Sequence, residues 1–278
     1  MNGGSMMPGW IEIERMVRRG HYTMALNHFH DHYEMYYLLS GERYYFIQNK
    51  TYHVQKGDLV LIGKQTLHKT ADTGLADHER VLVSFNSDYL QSPSLEQSLT
   101  TVFVGDLHLL RLNVQQQTYI ESLLFELDRE QQEQREHHDI YVHALLQQLL
   151  ITVHRIYARA QDVFEFVSPT HQKISEMADY INQHYAERLP LTEVAAAFHM
   201  SAYYTSRMFK QVTGFSYIEY INSVRVKEAQ RRLRETKRKV IRIAEEVGFE
   251  SVAHFGRVFK QISGLAPMEY RRVNRMSP

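Results

Sequence analysis

The chain has 278 residues, no cysteine and a formal net charge of zero, because 32 lysines and arginines balance 32 aspartates and glutamates. This length allows two domains, and the content of 18 tyrosines and 13 phenylalanines argues against a disordered chain. The lack of cysteine excludes disulfide bonds and thiolate chemistry and favours the cytoplasm, and the sequence predicts neither a signal peptide nor a membrane partner.

Short strands are predicted from about Tyr22 to Phe85. Runs of β-favouring residues alternate with turn sequences such as Ser40-Gly41, Gln48-Asn49-Lys50 and Lys56-Gly57-Asp58. The predicted strands include Met35–Leu39, Arg43–Ile47, Thr51–Val54, Leu59–Ile62 and Val81–Phe85. Many short strands with frequent turn signals predict an antiparallel barrel or sandwich, here an antiparallel β-barrel over about residues 20–105.

Histidines alternate with other residues at the start of this region. His28, His30, His32 and Glu34 follow the period of two that a strand requires. Alternate residues of a strand share a face, so we expect His28, His30 and Glu34 to converge inside the barrel with His68 from a neighbouring strand.

Three interpretations of this polar cluster remain open. Three imidazoles and a carboxylate suit a divalent transition metal such as Fe, Mn, Ni or Zn, with His28, His30, Glu34 and His68 as ligands. The same groups also suit a pocket for a small polar effector, for example a carbohydrate, or an internal network with no ligand. The candidate effector pocket comprises His28, His30, His32, Glu34, Tyr36 and His68.

The spacing of these residues resembles that of the cupin superfamily. His28-x-His30-x-x-x-Glu34, followed by six residues and Gly41, is similar to its first motif, and Gly57 followed by Gly63 to His68 has the spacing of its second. The early glycine of the first motif is missing, and Gly63, Gln65 and Asp72 stand where proline, glycine and asparagine are usual. The resemblance implies a cupin-like barrel whose four metal-binding positions are all ligand types.

Two amphipathic helices are predicted after the strands, at Val114–Arg129 and Asp139–Arg159. The polar stretch Glu130–Glu136 between them is predicted to bury nothing. The helices either pair with a second subunit, giving a homodimer, or cover their own barrel. Residues 161–170 are predicted to be a linker, because Ser168-Pro169 is a poor continuation of a helix. The predicted domains are therefore residues 10–160 and 171–278.

The C-terminal domain contains a sequence repeat. Arg207–Gly214 (RMFKQVTG) returns fifty positions later as Arg257–Gly264 (RVFKQISG). Each copy belongs to a helix, Ala202–Val212 after the cap Ser201 and Val252–Gln261. The shorter helices that precede them are predicted at Glu193–Phe198, capped by Thr192, and at Val240–Val247. This order of elements is the helix-turn-helix pattern and predicts two units in an all-α domain.

Charge supports a nucleic-acid partner for this domain. His171–Pro278 contains 18 lysines and arginines and 11 aspartates and glutamates, a net charge of +7 (18 − 11). The residues predicted to face double-stranded DNA are Ala202, Tyr203, Ser206, Arg207 and Lys210 in the first unit and Val252, Ala253, Gly256, Arg257 and Lys260 in the second. Arg207 and Arg257 are the strongest candidates, since arginine can bind guanine with two hydrogen bonds. Alternatively, both arginines pair with nearby glutamates.

Four motifs in this domain resemble the AraC/XylS-type transcriptional regulators. They are Arg225-Val226-x-x-Ala229-x-x-x-Leu233, Ile243-Ala244-x-x-Val247-Gly248-Phe249, Phe255-x-Arg257-x-Phe259-Lys260 and Gly264-x-x-Pro267-x-x-Tyr270-Arg271. The first unit departs from the family at His199, Ala202 and Thr205, where glycine, proline and an apolar residue are common.

This resemblance implies an α+β two-domain, sequence-specific transcription regulator and not an enzyme. A small-molecule effector, a second copy of the chain and RNA polymerase are its candidate partners besides DNA. Two alternatives remain open: a metal-dependent cupin enzyme with a DNA-binding tail, and a regulator whose barrel serves only dimerisation.

Overall fold

The computed structural model describes residues 9–20, 29–74, 77–160 and 168–274. Its N-terminal part is rich in strands and its C-terminal part is helical. The strands are β1 (Ile11–Arg18), β2 (Tyr33–Ser40), β3 (Glu42–Ile47), β4 (Lys50–Gln55), β5 (Asp58–Ile62), β6 (His68–Asp72), β7 (His78–Phe85) and β8 (Leu109–Arg111). A short helix α1 (Pro93–Leu99) and two 3-10 turns lie between β7 and β8.

The strands form two antiparallel sheets. The larger sheet has the order β1-β7-β2-β5-β8, and the smaller has the order β4-β3-β6. Among the described strands, no backbone pairing joins one sheet to the other. The predicted β-barrel is therefore not closed, and the N-terminal part is a β-rich unit of two sheets with helices attached.

The strand prediction needs two corrections at its beginning. β1 precedes Tyr22, the predicted start of the strands, and residues 21–28, including His28, lie outside the described residues. β2 starts at Tyr33, and residues 29–32 form a bend instead of a strand. The prediction of a strand from the period of two was therefore wrong for residues 29–32, whereas Glu34 does lie on a strand.

Both faces of β2 are buried, which explains its nearly continuous apolar sequence. Tyr36 and Leu38 face the smaller sheet and pack in a core between the two sheets. Met35 and Tyr37 point the other way and pack against the helices α2 (Val114–Glu133) and α3 (His138–Tyr157).

The helices α2 and α3 cover the larger sheet of their own chain. Their apolar side chains, including Ile120 and Leu146, share one hydrophobic core with that sheet. α2 extends into the stretch that was predicted to bury nothing. The side chain of Glu130 is buried and its Oε1 atom lies 3.9 Å from Nδ1 of His138, so that part of the prediction was wrong.

The C-terminal part consists of seven helices in the described residues. They are α4 (Pro169–His184), α5 (Leu191–Ala197), α6 (Ala202–Thr213), α7 (Tyr217–Glu235), α8 (Val240–Glu246), α9 (Val252–Ser263) and α10 (Pro267–Asn274). Pro169 starts α4 instead of preventing a helix, because its fixed φ suits the first helical position and Ser168 caps the helix. Thr192 lies inside α5 and is not its cap; that position is occupied by Pro190.

Each helix-turn-helix unit has its own core, and α7 contributes to both. Tyr220 packs in the core of the first unit, with α4 to α6, and Val226 packs in that of the second, with α8 to α10. Phe46 and Leu67 of the N-terminal part are also buried in the first core. The two parts of the chain therefore share apolar packing.

Polar contacts accompany this shared packing. The hydroxyl of Tyr220 donates to the backbone oxygen of Gln48 at 2.8 Å, and Asn49 donates to Asp179 at 2.6 Å. Phe29 packs against the cores of both helix-turn-helix units. The bend that carries Phe29 thus connects the N-terminal part to both units.

Candidate functional site

A buried carboxylate occupies the centre of the candidate ligand site. The side chain of Glu34 projects from β2, and its Oε2 atom lies 3.2 Å from Nε2 of His30 and 4.0 Å from Nε2 of His68. Its Oε1 atom accepts a hydrogen bond of 3.0 Å from the hydroxyl of Tyr45. The structure therefore brings together three of the predicted residues and adds Tyr45.

Backbone oxygens fix the orientation of the two imidazoles. Nδ1 of His68 lies 2.8 Å from the oxygen of Thr66, and Nδ1 of His30 lies 3.1 Å from the oxygen of His32. A carbonyl oxygen only accepts, so each Nδ1 carries a hydrogen and the Nε2 atoms are directed toward Glu34. When Nε2 is also protonated, each imidazolium directs a positive charge toward Glu34; without that proton, two nitrogen ligands and one carboxylate surround a common point.

The electrostatics of the cluster favour an ionised Glu34. Burial alone raises the pKa of this carboxyl group. The hydrogen bond from His30, the positive charges of His68 and His30 and the hydrogen bond from Tyr45 outweigh burial and lower the pKa to about 2. The carboxylate of Glu34 is therefore ionised across the physiological pH range.

The three predicted ligands that the structure describes have a spacing that fits a metal ion. Their ligand atoms all lie within 4.8 Å of one another. Two ligand atoms bound to one tetrahedral ion at about 2.1 Å are about 3.4 Å apart, so the distances of 3.2 and 4.0 Å in the His30–Glu34–His68 cluster need only small shifts. His28, the fourth predicted ligand, lies outside the described residues.

His32 and Tyr36 lie beside this cluster. The ring of His32 stacks on His30 at 3.6 Å, with an interplanar angle of 7°, and it also contacts Trp10. Tyr36 packs edge-on against Tyr45, with ring centroids 5.2 Å apart. His32 therefore supports His30 from behind, while Tyr36 extends the polar surface further between the two sheets.

A second group of charged residues surrounds Tyr36. Arg43 is completely buried and pairs with Asp72, and Arg80 pairs with Glu14 at 2.6 Å. Burial raises the pKa of Tyr36 to about 12, although the charges of Arg43 and Arg80 oppose this effect. The region between the sheets thus combines buried aromatic rings with charged groups that can form hydrogen bonds.

The contribution of Tyr45 to the site was not predicted from the sequence, for a structural reason. Tyr45 lies on β3 and faces the interior together with Arg43 and Ile47, which follow the period of two. Nothing in the sequence pairs β3 with β2, because the two strands belong to different sheets. Only the packing of the sheets brings the Tyr45 hydroxyl to Glu34.

The second candidate site is the outward face of the helices α6 and α9. Tyr203 is 80% exposed, and Ser206, Arg207 and Lys210 are exposed beside it, while Ala202 is half-buried at the start of α6. In α9, Ala253, Arg257 and Lys260 are exposed, Val252 is 40% exposed and Gly256 is half-buried. The opposite faces are buried through Thr205 and Phe209 in α6 and through Phe255 and Phe259 in α9.

Local sequence explains why both helices begin and end in the same way. The hydroxyls of Ser201 and Ser251 accept hydrogen bonds from the amides three residues later, at 3.2 and 3.4 Å. Gly214 and Gly264 end the helices with φ of 75° and 76°, a left-handed conformation that suits glycine. The repeat in the sequence is thus a repeat in structure.

The turns before α6 and α9 differ by one residue. Four residues separate α5 from α6, and five separate α8 from α9. His199 has a φ of 57° in the first turn, and Gly248 has a φ of 89° in the second. His199 therefore occupies the strained conformation that a glycine adopts at no steric cost.

Arg207 and Arg257 form no ion pair or hydrogen bond with the described residues. Other arginines of the same part of the chain behave differently. Arg231 and Arg232 pair with Glu228 at 2.6 and 2.8 Å. The alternative that Arg207 and Arg257 pair with nearby glutamates therefore finds no support in the described part of the chain.

Comparisons with known proteins match both parts of the chain. The model of the AraC-like ligand binding domain family matches residues 17–150, and that of a helix-turn-helix domain family matches residues 194–273. No helix in the described ranges is long and apolar enough to cross a membrane.

Three relatives illustrate the extent of the similarity. The chain is 37% identical over 113 residues to the uncharacterized HTH-type transcriptional regulator YisR of Bacillus subtilis strain 168, which covers 41% of the chain and 39% of YisR. It is 27% identical to YfiF, another uncharacterized HTH-type regulator of that strain, over 92% of the chain and 82% of YfiF. It is 23% identical to the melibiose operon regulatory protein of Escherichia coli K12, over 96% of the chain and 90% of that protein.

Proposed function

Because the chain belongs to the AraC family of helix-turn-helix transcriptional regulators and has an N-terminal AraC-like ligand-binding domain, we propose that binding of a small polar effector between its sheets controls its binding to a specific DNA sequence. The chain is thus a regulator and not an enzyme. The effector would bind the two conformations of the chain with different affinities, since only such a difference shifts their equilibrium.

The repeated exposed arginine carries the DNA-binding half of the proposal. Arg207 and Arg257 occupy the same position of two helices with the same caps, and both guanidinium groups face solvent without a partner in the described residues. A guanidinium group can donate two hydrogen bonds to guanine in the major groove. Lys210 and Lys260, one turn further along each helix, would contact phosphates and position the protein on DNA.

Selection from a random pool of duplex DNA, at fixed salt and with the full chain, tests this half. We expect a motif with two half-sites about one helical turn apart. Arg207→Ala and Arg257→Ala should each weaken binding by about 1–3 kcal/mol and relax specificity at different half-sites. Arg129→Ala, an exposed arginine of α2, is the control. Binding that depends on salt but not on sequence would contradict the proposal.

The effector half of the proposal depends on the cluster around Glu34. His30, Glu34 and His68 lie within hydrogen-bonding range of a common point, with His32 and Tyr36 beside them. Such a set of donors and acceptors beside aromatic rings suits the hydroxyl groups of a carbohydrate. His28 is the remaining predicted member of this pocket.

Sugars are the first compounds to titrate, because the name of the E. coli relative refers to melibiose. The readouts are the affinity for the selected DNA and the oligomeric state, with His30→Ala/His68→Ala as the binding-defective variant. If no sugar changes either readout and the double variant regulates normally in cells, the two sheets serve only dimerisation.

A divalent transition metal is the second candidate ligand, favoured by the 3.2 and 4.0 Å distances from Glu34 to the two imidazoles. Metal analysis of the chain after incubation with Zn²⁺ or Mn²⁺ and dialysis distinguishes this candidate. Retention of one equivalent, and its loss in Glu34→Gln, would support it. Retention by both proteins would place the metal elsewhere.

Further parts of the proposal concern organisation. Residues 10–160 form the sensing domain, and the DNA-binding domain begins with α4 at Pro169, so the linker predicted from residue 161 ends before this helix. The exposed faces of α2 and α3, which include Ile140 and Tyr141, support a homodimer. We place this regulator in the cytoplasm, where RNA polymerase would be its further partner.

A further inference from the structure

The smaller sheet packs against the end of α6 through one row of side chains. Thr51 of β4, Phe46 of β3 and Lys69 of β6 are paired in register across this sheet, so their side chains share its outer face. All three are buried, with exposed fractions of 4% or less. The row therefore lies inside the boundary between the N-terminal part and the first helix-turn-helix unit.

Two members of this row complete the last turn of α6. The hydroxyl of Thr51 donates a hydrogen bond of 3.3 Å to the backbone oxygen of Val212. This oxygen belongs to the end of a helix, where carbonyl groups lack partners within the helix. A β-carbon at Gly214 would lie 3.1 Å from Cγ and Cδ of Lys69, so the methylene groups of this lysine pack on the residue that ends α6.

The charged end of Lys69 adds an electrostatic contribution. Its Nζ atom lies 4.8 Å from the centroid of the ring of Phe215, two residues after α6. A positive charge near the C-terminus of a helix is stabilising, because the carbonyl groups there carry partial negative charge. Burial lowers the pKa of Lys69, the charge of Glu219 opposes this effect, and that of Lys210 adds to it. Lys69 therefore interacts electrostatically with a residue of the proposed DNA-binding face.

The same two strands carry residues of the candidate ligand site. On β3, Tyr45 immediately precedes Phe46. On β6, His68 immediately precedes Lys69, and its ring centroid lies 6.0 Å from that of Tyr45. Successive side chains of a strand point to opposite faces, so each strand directs one residue toward the ligand site and the next toward α6. A displacement of either strand at the ligand site therefore also moves a side chain packed at the end of α6.

The equivalent end of α9 lacks this support. Gly264 has nearly the same φ as Gly214, 76° against 75°, but a β-carbon at Gly264 would meet no atom within 4 Å. Within the described ranges, α9 forms no hydrogen bond, ion pair or ring contact with the N-terminal part. The described N-terminal part reaches the second unit through Phe29, which packs against its core, and not through a contact at Gly264.

We propose that Thr51 and Lys69 are positioning residues for α6, and that through them the ligand site controls recognition of the first DNA half-site alone. The second half-site, read by α9, is then bound in both states of the ligand site and anchors the protein on DNA. This inference rests on the proposed function, in which α6 and α9 read the two half-sites. It adds that two repeats with the same caps are regulated unequally.

Thr51 offers a matched pair of variants. Thr51→Val removes the hydroxyl group and nearly preserves the shape of the side chain, whereas Thr51→Ser keeps the hydroxyl group. We expect Thr51→Val and Lys69→Met each to weaken binding of the full chain to the selected duplex by about fivefold or more. Thr51→Ser should bind it like the unmodified chain, and so should Lys56→Met, the control for removal of a lysine charge. Indistinguishable binding by the two Thr51 variants would overturn the proposal.

Duplexes that keep one half-site and scramble the other resolve the two recognition helices. The loss of specificity in Arg207→Ala identifies the half-site that α6 reads. His68→Ala and Thr51→Val should weaken binding to the duplex that keeps this half-site and leave binding to the other duplex unchanged. His53→Ala, on the same sheet but outside the ligand site, should change neither. Equal losses on both duplexes would overturn the proposal.

Amide hydrogen exchange of the DNA-free chain is a readout that does not depend on the proposed function. His68→Ala and Thr51→Val should accelerate exchange in the last turn of α6 and leave α9 unchanged. Unchanged exchange in α6, or equal acceleration in α9, would overturn the proposal. If selection yields no specific sequence but exchange changes in α6 alone, the proposed function fails and the coupling of the ligand site to α6 stands.

Discussion

The hydroxyl of Tyr45 donates a hydrogen bond of 3.0 Å to the carboxylate of Glu34 and thereby connects the two β-sheets. Tyr45 belongs to β3 in the smaller sheet, and Glu34 belongs to β2 in the larger one. Since no backbone pairing joins the sheets among the described strands, side-chain contacts of this kind hold the candidate ligand site together.

Tyr45→Phe should therefore destabilise the chain. The substitution removes one hydrogen bond to a buried, ionised carboxylate, and the expected loss in the free energy of unfolding is about 1.5–3 kcal/mol. Urea-induced unfolding measures it. The control is Tyr44→Phe, on the next residue of β3, which forms ring contacts with His53 and His171 that do not need its hydroxyl group. Equal effects of the two substitutions would contradict the assigned role of the Tyr45 hydrogen bond.

Glu34 should make stability depend on acid pH. Its pKa is lowered from 4.5 to about 2 in the folded chain, so its contribution is present above pH 4.5 and is lost as the pH falls from 4.5 toward 2. The maximum contribution is on the order of 3 kcal/mol. Unfolding measured at several pH values should show a decline in this window that is smaller in Glu34→Gln. Parallel curves would assign the acid sensitivity to other carboxyl groups.

Gly256→Ala should have opposite effects on stability and DNA binding. A β-carbon at Gly256 would meet no atom within 4 Å, and alanine in the interior of a helix is more stable than glycine by about 0.5–1 kcal/mol. Gly256 lies at the centre of the face that carries Ala253 and Arg257, and the proposed close approach of DNA to α9 would explain a glycine at this position. We expect a higher melting temperature and weaker binding to the selected sequence.

A control in the same helix makes this result specific. Gln261 is exposed in α9 and lies outside the predicted DNA-facing set. Gln261→Ala should leave DNA binding unchanged. If Gly256→Ala raises stability and binds DNA like the unmodified chain, α9 does not approach DNA at this position.

Phe29→Ala and Phe46→Ala should loosen different parts of the helical region. Phe29 packs against the cores of both helix-turn-helix units, whereas Phe46 is buried only in the first. Amide hydrogen exchange should therefore accelerate in both units after Phe29→Ala and mainly in α4–α7 after Phe46→Ala. The loss of stability should be larger for Phe46→Ala, about 3–5 kcal/mol, because its side chain is fully buried. Identical exchange patterns would contradict a separate role for Phe29.

The C-terminal helices could be predicted closely from the sequence because their signals are local. Serine caps, terminal glycines and the fifty-residue repeat placed α6 and α9 with the correct first residues, and the buried side chains Phe209 and Phe259 follow the helical period. Pro169 was misjudged, since the restriction that proline imposes on the preceding residue also makes it a good first residue of a helix.

The ligand site was less accessible to prediction because it depends on contacts between distant strands. His30, Glu34 and His68 do come together, although His30 lies in a bend and not on a strand as predicted. A sequence of alternating histidines does not by itself distinguish a strand from a bend in which the rings of His30 and His32 stack. The hydrogen bond from Tyr45 to Glu34 depends on how the two sheets pack, and no local pattern in the sequence specifies that packing.

The burial of Phe46 and Leu67 in the first helical core has a consequence for biosynthesis. A ribosome completes the two sheets before it has made α4 to α7, the helices that cover these side chains. Until then the smaller sheet presents an apolar face to water, where it is a target for chaperones and for other nascent chains. The first half of this protein is therefore expected to finish folding only after most of the second half has been synthesised.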